Sequence, residues 1–274
     1  MNTHYAWLIT LLCGLCLLAQ PQIAVAGGLN VLDGLTRSVS INRGEKSEGV
    51  ITLQNSQNEP QEVKVFLTDY QRFANGVSDY SDAGNSPRSN AAWITFTPHQ
   101  CTVPAKATVT IYYTIQIPQA SELAGTYWSV LMVEPIAKGS LEPPTAEKDK
   151  VKLGINTIMR YAVQMITNIG ETGKRSIKFS KRQLVVQDKQ RFYQIDIDNT
   201  GEHVLTPTLW LELYTTDGAS LGRFTGNRWR IYPSGSAHFQ IDLSTIPAGV
   251  YNGLLVADNG DEYIFGTQVK LEVK

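Results

Sequence analysis

The chain has 274 residues, with 24 Lys and Arg against 25 Asp and Glu, for a net charge of −1. That balance, with no basic run, argues against a nucleic-acid partner. The three cysteines exclude a disulfide framework, because Cys13 and Cys16 sit in an apolar leader and only Cys101 lies beyond it.

Residues 1–26 contain no Lys, Arg, Asp or Glu, and Leu8–Leu18 is nearly all apolar. Ala24-Val25-Ala26 has the small-x-small form of a signal-peptidase site, so a cleaved secretory signal peptide is expected over 1–26. The apolar run is too short to span a bilayer comfortably, and no second one follows. The expected product is soluble and lies beyond the inner membrane, in the periplasm. A single thiol makes no internal bridge, so the fold must hold by its cores. Cys101, at the start of a strand, is expected to be buried and inert.

From Leu35 onward nearly every segment alternates at period two, the pattern of half-buried strands. Arg37–Ile41, Gly49–Leu53 and Glu62–Leu67 come first. A polar stretch, 74–90, carries the turn signal Asn75-Gly76. Trp93–Thr97, Ala107–Ile117 and Thr126–Val133 follow. The segment 136–150, with Pro143-Pro144, reads as a flexible loop. Val151–Thr167 then alternates throughout: Val151, Leu153, Ile155, Met159, Tyr161, Val163 and Met165 share one face. Fully extended it would span ~56 Å, well beyond the usual ~17–20 Å strand. Either it bends within its own protein, or its first half presents an apolar row along an open edge that invites another chain.

A boundary falls at 168–174, where Gly170 and Gly173 bracket a polar turn. Strands resume at Ile177, Arg191–Ile197, Thr208–Tyr214, Arg228–Ile231, Ala237–Leu243, Gly249–Ala257 and Tyr263–Val273, with hairpin signals at Asp217-Gly218 and Asn259-Gly260. The halves repeat. LQNS at Leu53 matches IDNT at Ile197, Pro104 to Pro118 has the spacing of Pro233 to Pro247, and Ala124-Gly125-Thr126-Tyr127 matches Ala248-Gly249-Val250-Tyr251. Residues 74–90 read as an insertion in the first half. The expected fold is all-β: two tandem immunoglobulin-like β-sandwich domains, at 27–168 and 169–274, following the signal peptide. Tyr127 and Tyr251 fit corner tyrosines of such sandwiches.

Signals for catalysis are absent. His99, His203 and His238 lie on different strands without a Cys or His at metal-ligand spacing. Asp196 and Asp198 alternate with Ile195 and Ile197 and read as a solvated strand face. There is no nucleophile elbow and no phosphate loop. No enzyme activity, metal or cofactor is expected.

The stretches LTRSVSINRGEKSEGVITLQNS from Leu35 and KLGINTIMRYAV from Lys152 resemble the periplasmic pilus chaperones of the PapD-like class. The resemblance covers residues 33–166. It implies that Arg37, on the first strand, and Arg160, on the last strand of domain one, grip the C-terminal carboxylate of a pilus subunit. It also implies that Val151, Leu153 and Ile155, continued by Met159, donate alternating apolar side chains to that subunit. The implied partners are a pilus or fibre subunit and an outer-membrane usher, with a self-capping homodimer in the free protein. The family's aromatic-basic-proline junction is replaced here by ITNIGETG. NGVSDYSD from Asn75, with VPAKATVTIYYTIQIP, is more weakly similar to Gram-positive surface proteins that interact with WxL proteins. That similarity implies a non-catalytic cell-surface or cell-wall binding module instead.

Overall fold

The computed structural model describes residues 28–137 and 158–273. The leader at 1–26 and the row Val151, Leu153 and Ile155 lie outside the described residues.

The first half contributes β1 (Leu29–Val31), β2 (Thr36–Ile41), β3 (Lys46–Asn55), β4 (Gln61–Arg72), β5 (Ser78–Asp82), a 3₁₀ turn (Ala91–Trp93), β6 (Ile94–Thr97), β7 (Gln100–Val103), β8 (Thr108–Gln116), β9 (Gly125–Pro135) and β10 (Tyr161–Ile169). A sheet β1-β3-β8-β6 packs on a sheet β2-β10-β9-β4-β5, and β7 also pairs with β4. Alternation supplies the core between them: Ile51, Leu53 and Ile111 from one sheet meet Leu131, Val163 and Met165 from the other, all fully buried. Each such side chain contributes about 1.5–3 kcal/mol by leaving water.

The second half contributes β11 (Ile177–Gln187), β12 (Gln190–Asn199), β13 (Thr208–Tyr214), β14 (Ser220–Arg228), β15 (Ser236–Asp242), β16 (Gly249–Asp258) and β17 (Ile264–Val273). Here β11-β12-β15 packs on β14-β13-β16-β17, with Ile195, Ile197 and Phe239 facing Leu209, Leu211 and Leu255. The all-β, two-sandwich reading holds.

The internal repeat has a physical basis in two buried asparagines. Asn55 Nδ2 donates to Glu59 O (2.7 Å) and Val103 O (3.1 Å), while its Oδ1 accepts from Gln57 N (2.9 Å). Asn199 Nδ2 donates to His203 O (2.7 Å) and Ile231 O (2.9 Å), and its Oδ1 accepts from Gly201 N (2.9 Å). Each asparagine thus replaces the missing ladder where a strand ends. Tyr251 donates to Pro247 O (3.0 Å), the corner geometry. Tyr127 differs: its ring packs on Trp93 at 4.7 Å and under the Arg88 guanidinium at 5.3 Å.

Four sequence expectations change. The polar insertion contains a strand, β5, paired with β4; all five of its residues are exposed, so no alternation marked it. Of the expected ribbon 151–167, the described strand begins at Tyr161, with Ile158–Arg160 outside it. A strand expected at Arg228–Ile231 lies at Ser220–Arg228, and Ile231 makes only a bridge to Leu205. Cys101 is half-buried rather than buried, and that burial pushes its thiol pKa up.

The two sandwiches meet across β9 and β10. Trp128 stacks on Tyr232 at 4.6 Å beside Ile166, and Trp128 Nε1 donates to Tyr70 O (2.6 Å). Arg88 pairs with Glu202 at 3.1 Å. At Gly125, φ is +74° and a Cβ would lie 2.3 Å from Glu202 O, so only glycine permits the two backbones to meet there.

Candidate functional site

The first strand of domain one changes sheets. β1 runs antiparallel to β3; after residues 32–35, β2 runs parallel to β10. β9 covers β10 along all of Tyr161–Ile169, whereas β2 covers the opposite edge only from Gln164 onward. Upstream of Gln164 no described strand pairs with that edge. Gln164 N donates to Leu35 O (2.9 Å), so alternation aims the amide of Ala162 toward the same uncovered side, and Arg160 lies just before the strand. Ile158 and Met159 lead into this edge with 43% and 46% of their surface exposed, and Leu32 and Leu35 of the switching loop are exposed beside it. Tyr161 donates its hydroxyl to Leu29 O and so ties the start of β10 to β1.

Arg37 stands in register with Met165, whose side chain is fully buried, so Arg37 points to the inner face. Its Nε donates to Val50 O (3.3 Å) in the facing sheet. Nη1 donates to Asp33 O (2.8 Å), Gly34 O (3.3 Å) and Thr36 O (3.2 Å). Nη2 is buried without a hydrogen-bond partner, 3.7 Å from the Asp33 carboxylate. Tyr113 lies close by, its hydroxyl pKa raised by burial against the opposing pull of the Arg37 cation.

Arg160 is different. Its side chain is 58% exposed and pairs with Glu134 at 3.2 Å. Glu134 follows the fully buried Val133 on β9 and therefore lies on the outer face. The structure does not bring the two guanidinium groups together. By register they are five residues, roughly 16 Å, apart along β10 and on opposite faces. The head of Arg37 folds back to Asp33 and Gly34, which shortens that gap, and the bare edge of β10 lies between the two.

Residues invisible to local pattern reading complete the floor of the interdomain cleft. Arg230 of domain two donates to Thr36 Oγ1 (3.2 Å) and to the Gln164 side-chain oxygen, which also accepts from Tyr232 (2.8 Å). Arg230 falls in the segment read as strand, Arg228–Ile231, and Tyr232 just after it; only the docking of the domains gives them these partners.

The histidines serve packing. His99 meets Phe96 edge-on at 4.4 Å, and His238 Nδ1 lies 2.6 Å from Asp196. His203 is buried between the domains against Thr172 O, and burial holds its pKa below the ordinary value. Among the described residues, no group of three or more His, Cys, Asp and Glu could hold a metal ion, and no helix is long and apolar enough to cross a membrane.

No family model matches the chain, and no curated protein is similar to it in sequence. Solved structures are similar in shape. A chain from a chaperone–tip adhesin complex of CFA/I fimbriae biogenesis is 13% identical, covers 89% of this chain and 98% of its own, and has a TM-score of 0.49. The class 5 fimbriae chaperone CfaA is 12% identical over 88% and 98%, with a TM-score of 0.47. The chain is similar to chaperones of pili. A PapD-like domain of human CEP192 is 14% identical over 53% of this chain and 87% of its own, with a TM-score of 0.34. The two-sandwich fold stands on the strand pairing described above.

Proposed function

We propose that the protein is a periplasmic chaperone for pilus or surface-fibre subunits, secreted by the leader at 1–26. A subunit strand would add to the uncovered edge of β10, and the row Val151, Leu153, Ile155 and Met159 would fill the subunit's open core. The observation that carries this reading is the asymmetry of β10, paired on one side throughout and on the other only from Gln164. The resemblance of the Leu35 and Lys152 stretches supports it independently.

The subunit's terminal carboxylate would dock where the switching loop meets the start of β10. Arg37 would turn Nη2, buried beside the Asp33 carboxylate in the free protein, toward the subunit's carboxylate from the inner side. Arg160 leaves Glu134 and wraps around the bare edge from the outer side, at little cost because exposed ion pairs contribute only about 0–1 kcal/mol. Two guanidinium groups on one carboxylate fix register as well as affinity. The usher would then take over the loaded complex.

Co-expression with a fimbrial subunit tests the reading. The subunit should co-purify with the wild type and be lost with Arg160→Ala. Subunit levels unchanged in a strain lacking this protein would overturn it, as would binding of the purified protein to cell wall without any subunit.

A further inference from the structure

Each arginine beside the open end of β10 already faces a carboxylate of its own chain. Nη2 of Arg37 lies 3.7 Å from the Asp33 carboxylate, close enough for its charge to be neutralised and too far for a hydrogen bond. Arg160 pairs with Glu134 at 3.2 Å. The two acids come from different elements, Asp33 from the switching loop and Glu134 from β9.

Both acids have a second partner that keeps them in place. Asp33 Oδ2 accepts from Thr52 N (3.0 Å), and Leu32 N donates to Thr52 O (3.0 Å). The loop thus carries the β1–β3 ladder past its last pair, Val31 with Leu53, and fixes the carboxylate beside Nη2. Glu134 stands opposite Lys64 across the β4–β9 pairing and on the same face, so a cation remains near it when Arg160 moves. Nε and Nη1 of Arg37 are used on the carbonyls of Val50, Asp33, Gly34 and Thr36. That leaves Nη2 to bond an outside oxygen, and a carboxylate that reaches it comes up against the charge of Asp33.

We propose that Asp33 and Glu134 are internal counter-ions that gate the two arginines. A partner's terminal carboxylate must displace them, or bear their repulsion, to reach Arg37 and Arg160. This rests on the carboxylate docking proposed above. The gate makes charge alone insufficient. A stray acidic side chain meets an anion already in place, whereas a chain terminus that also adds to β10 brings backbone hydrogen bonds with its carboxylate. Asp33 and Glu134 therefore set selectivity for a terminus on a strand.

The test is titration of the 15N-labelled protein with acetyl-Thr-Val-Thr-Val-Thr-Val, as the free acid and as the C-terminal amide. Asp33→Asn removes the charge and keeps an oxygen for Thr52 N. Glu134→Gln removes the other charge without touching the loop. Each should raise affinity for the acid about threefold, within the range of exposed ion pairs. The double variant should gain about tenfold, because the two positions are well separated and their effects add. Affinity for the amide should stay the same in every variant. Tighter binding of acid than amide by the wild type, with no gain in either variant, would overturn the gate and leave the carboxylate docking standing. Equal gains for acid and amide would also overturn the gate alone, because they report a change of shape rather than of charge. No binding of either peptide, or equal binding of acid and amide by the wild type and both variants, would overturn the docking and the gate together.

Discussion

Asn55 and Asn199 each satisfy three backbone groups that would otherwise be stranded where the ladder stops. Replacing either with Ala leaves buried carbonyls without donors, at an expected cost of about 2–4 kcal/mol. Urea unfolding should show the loss in the domain that carries the substitution. His203 sets a pH dependence. Burial is the main force holding its folded pKa below the ordinary value; Arg175 and Arg88 push the same way, while Thr172 O and Glu171 oppose them. The unfolded chain therefore binds the extra proton first as the pH falls through about 6.5, so stability should be full above that value and decline below it. In His203→Gln this part of the decline should disappear from thermal midpoints measured between pH 5 and 8. The two arginines of the cleft should separate in the same assays. Arg37→Ala should cost about 2–3 kcal/mol, because Arg37 is 13% exposed and bonds four carbonyls. Arg160→Ala should change stability by less than about 1 kcal/mol while removing subunit capture.

At the scale of elements, period-two alternation made most strands legible, because one face of each is buried. The repeat of Asn55 and Asn199, and of Tyr251 with its corner, was visible as sequence before its bonds were known. Failures fell where alternation carries no information. β5 is exposed on both faces, so Ser78–Asp82 read as loop. β14 has Gly222 and Gly226 and only intermediate or exposed side chains. Arg37 was legible as an arginine on the first strand of domain one, and the resemblance set Arg160 on the last, where the structure has it just before β10. Their opposite faces were not, because facing depends on the parallel register of β2 with β10, which no local pattern encodes. Gln164 gave no local signal for its role, although it marks where β2 stops covering β10. The role of β10 itself rests on its two edges being unequally covered.

At the scale of the molecule, the interface is built by Trp128, Tyr232 and Tyr70, by Arg230 on Gln164, and by Arg88 on Glu202. The end of β4 and the insertion take part in it. Gln71 donates to Pro233 O (3.0 Å), Ala74 N donates to Ser236 Oγ (2.9 Å), and Asp69 accepts from Ser86 N (2.6 Å) and Ser89 Oγ (2.5 Å), holding the segment that carries Arg88. Tyr232→Ala should remove about 3 kcal/mol or more, and most of that loss should fall on coupling between domains. Calorimetry should then resolve two unfolding transitions in place of one. The central claim is that the edge of β10 upstream of Gln164 accepts a strand from a partner. Amide hydrogen exchange at Ala162, measured in the free protein and with a bound fimbrial subunit, tests it most directly. Slowed exchange at this amide on binding is the expected result; unchanged exchange there, in a complex that has formed, would contradict the account.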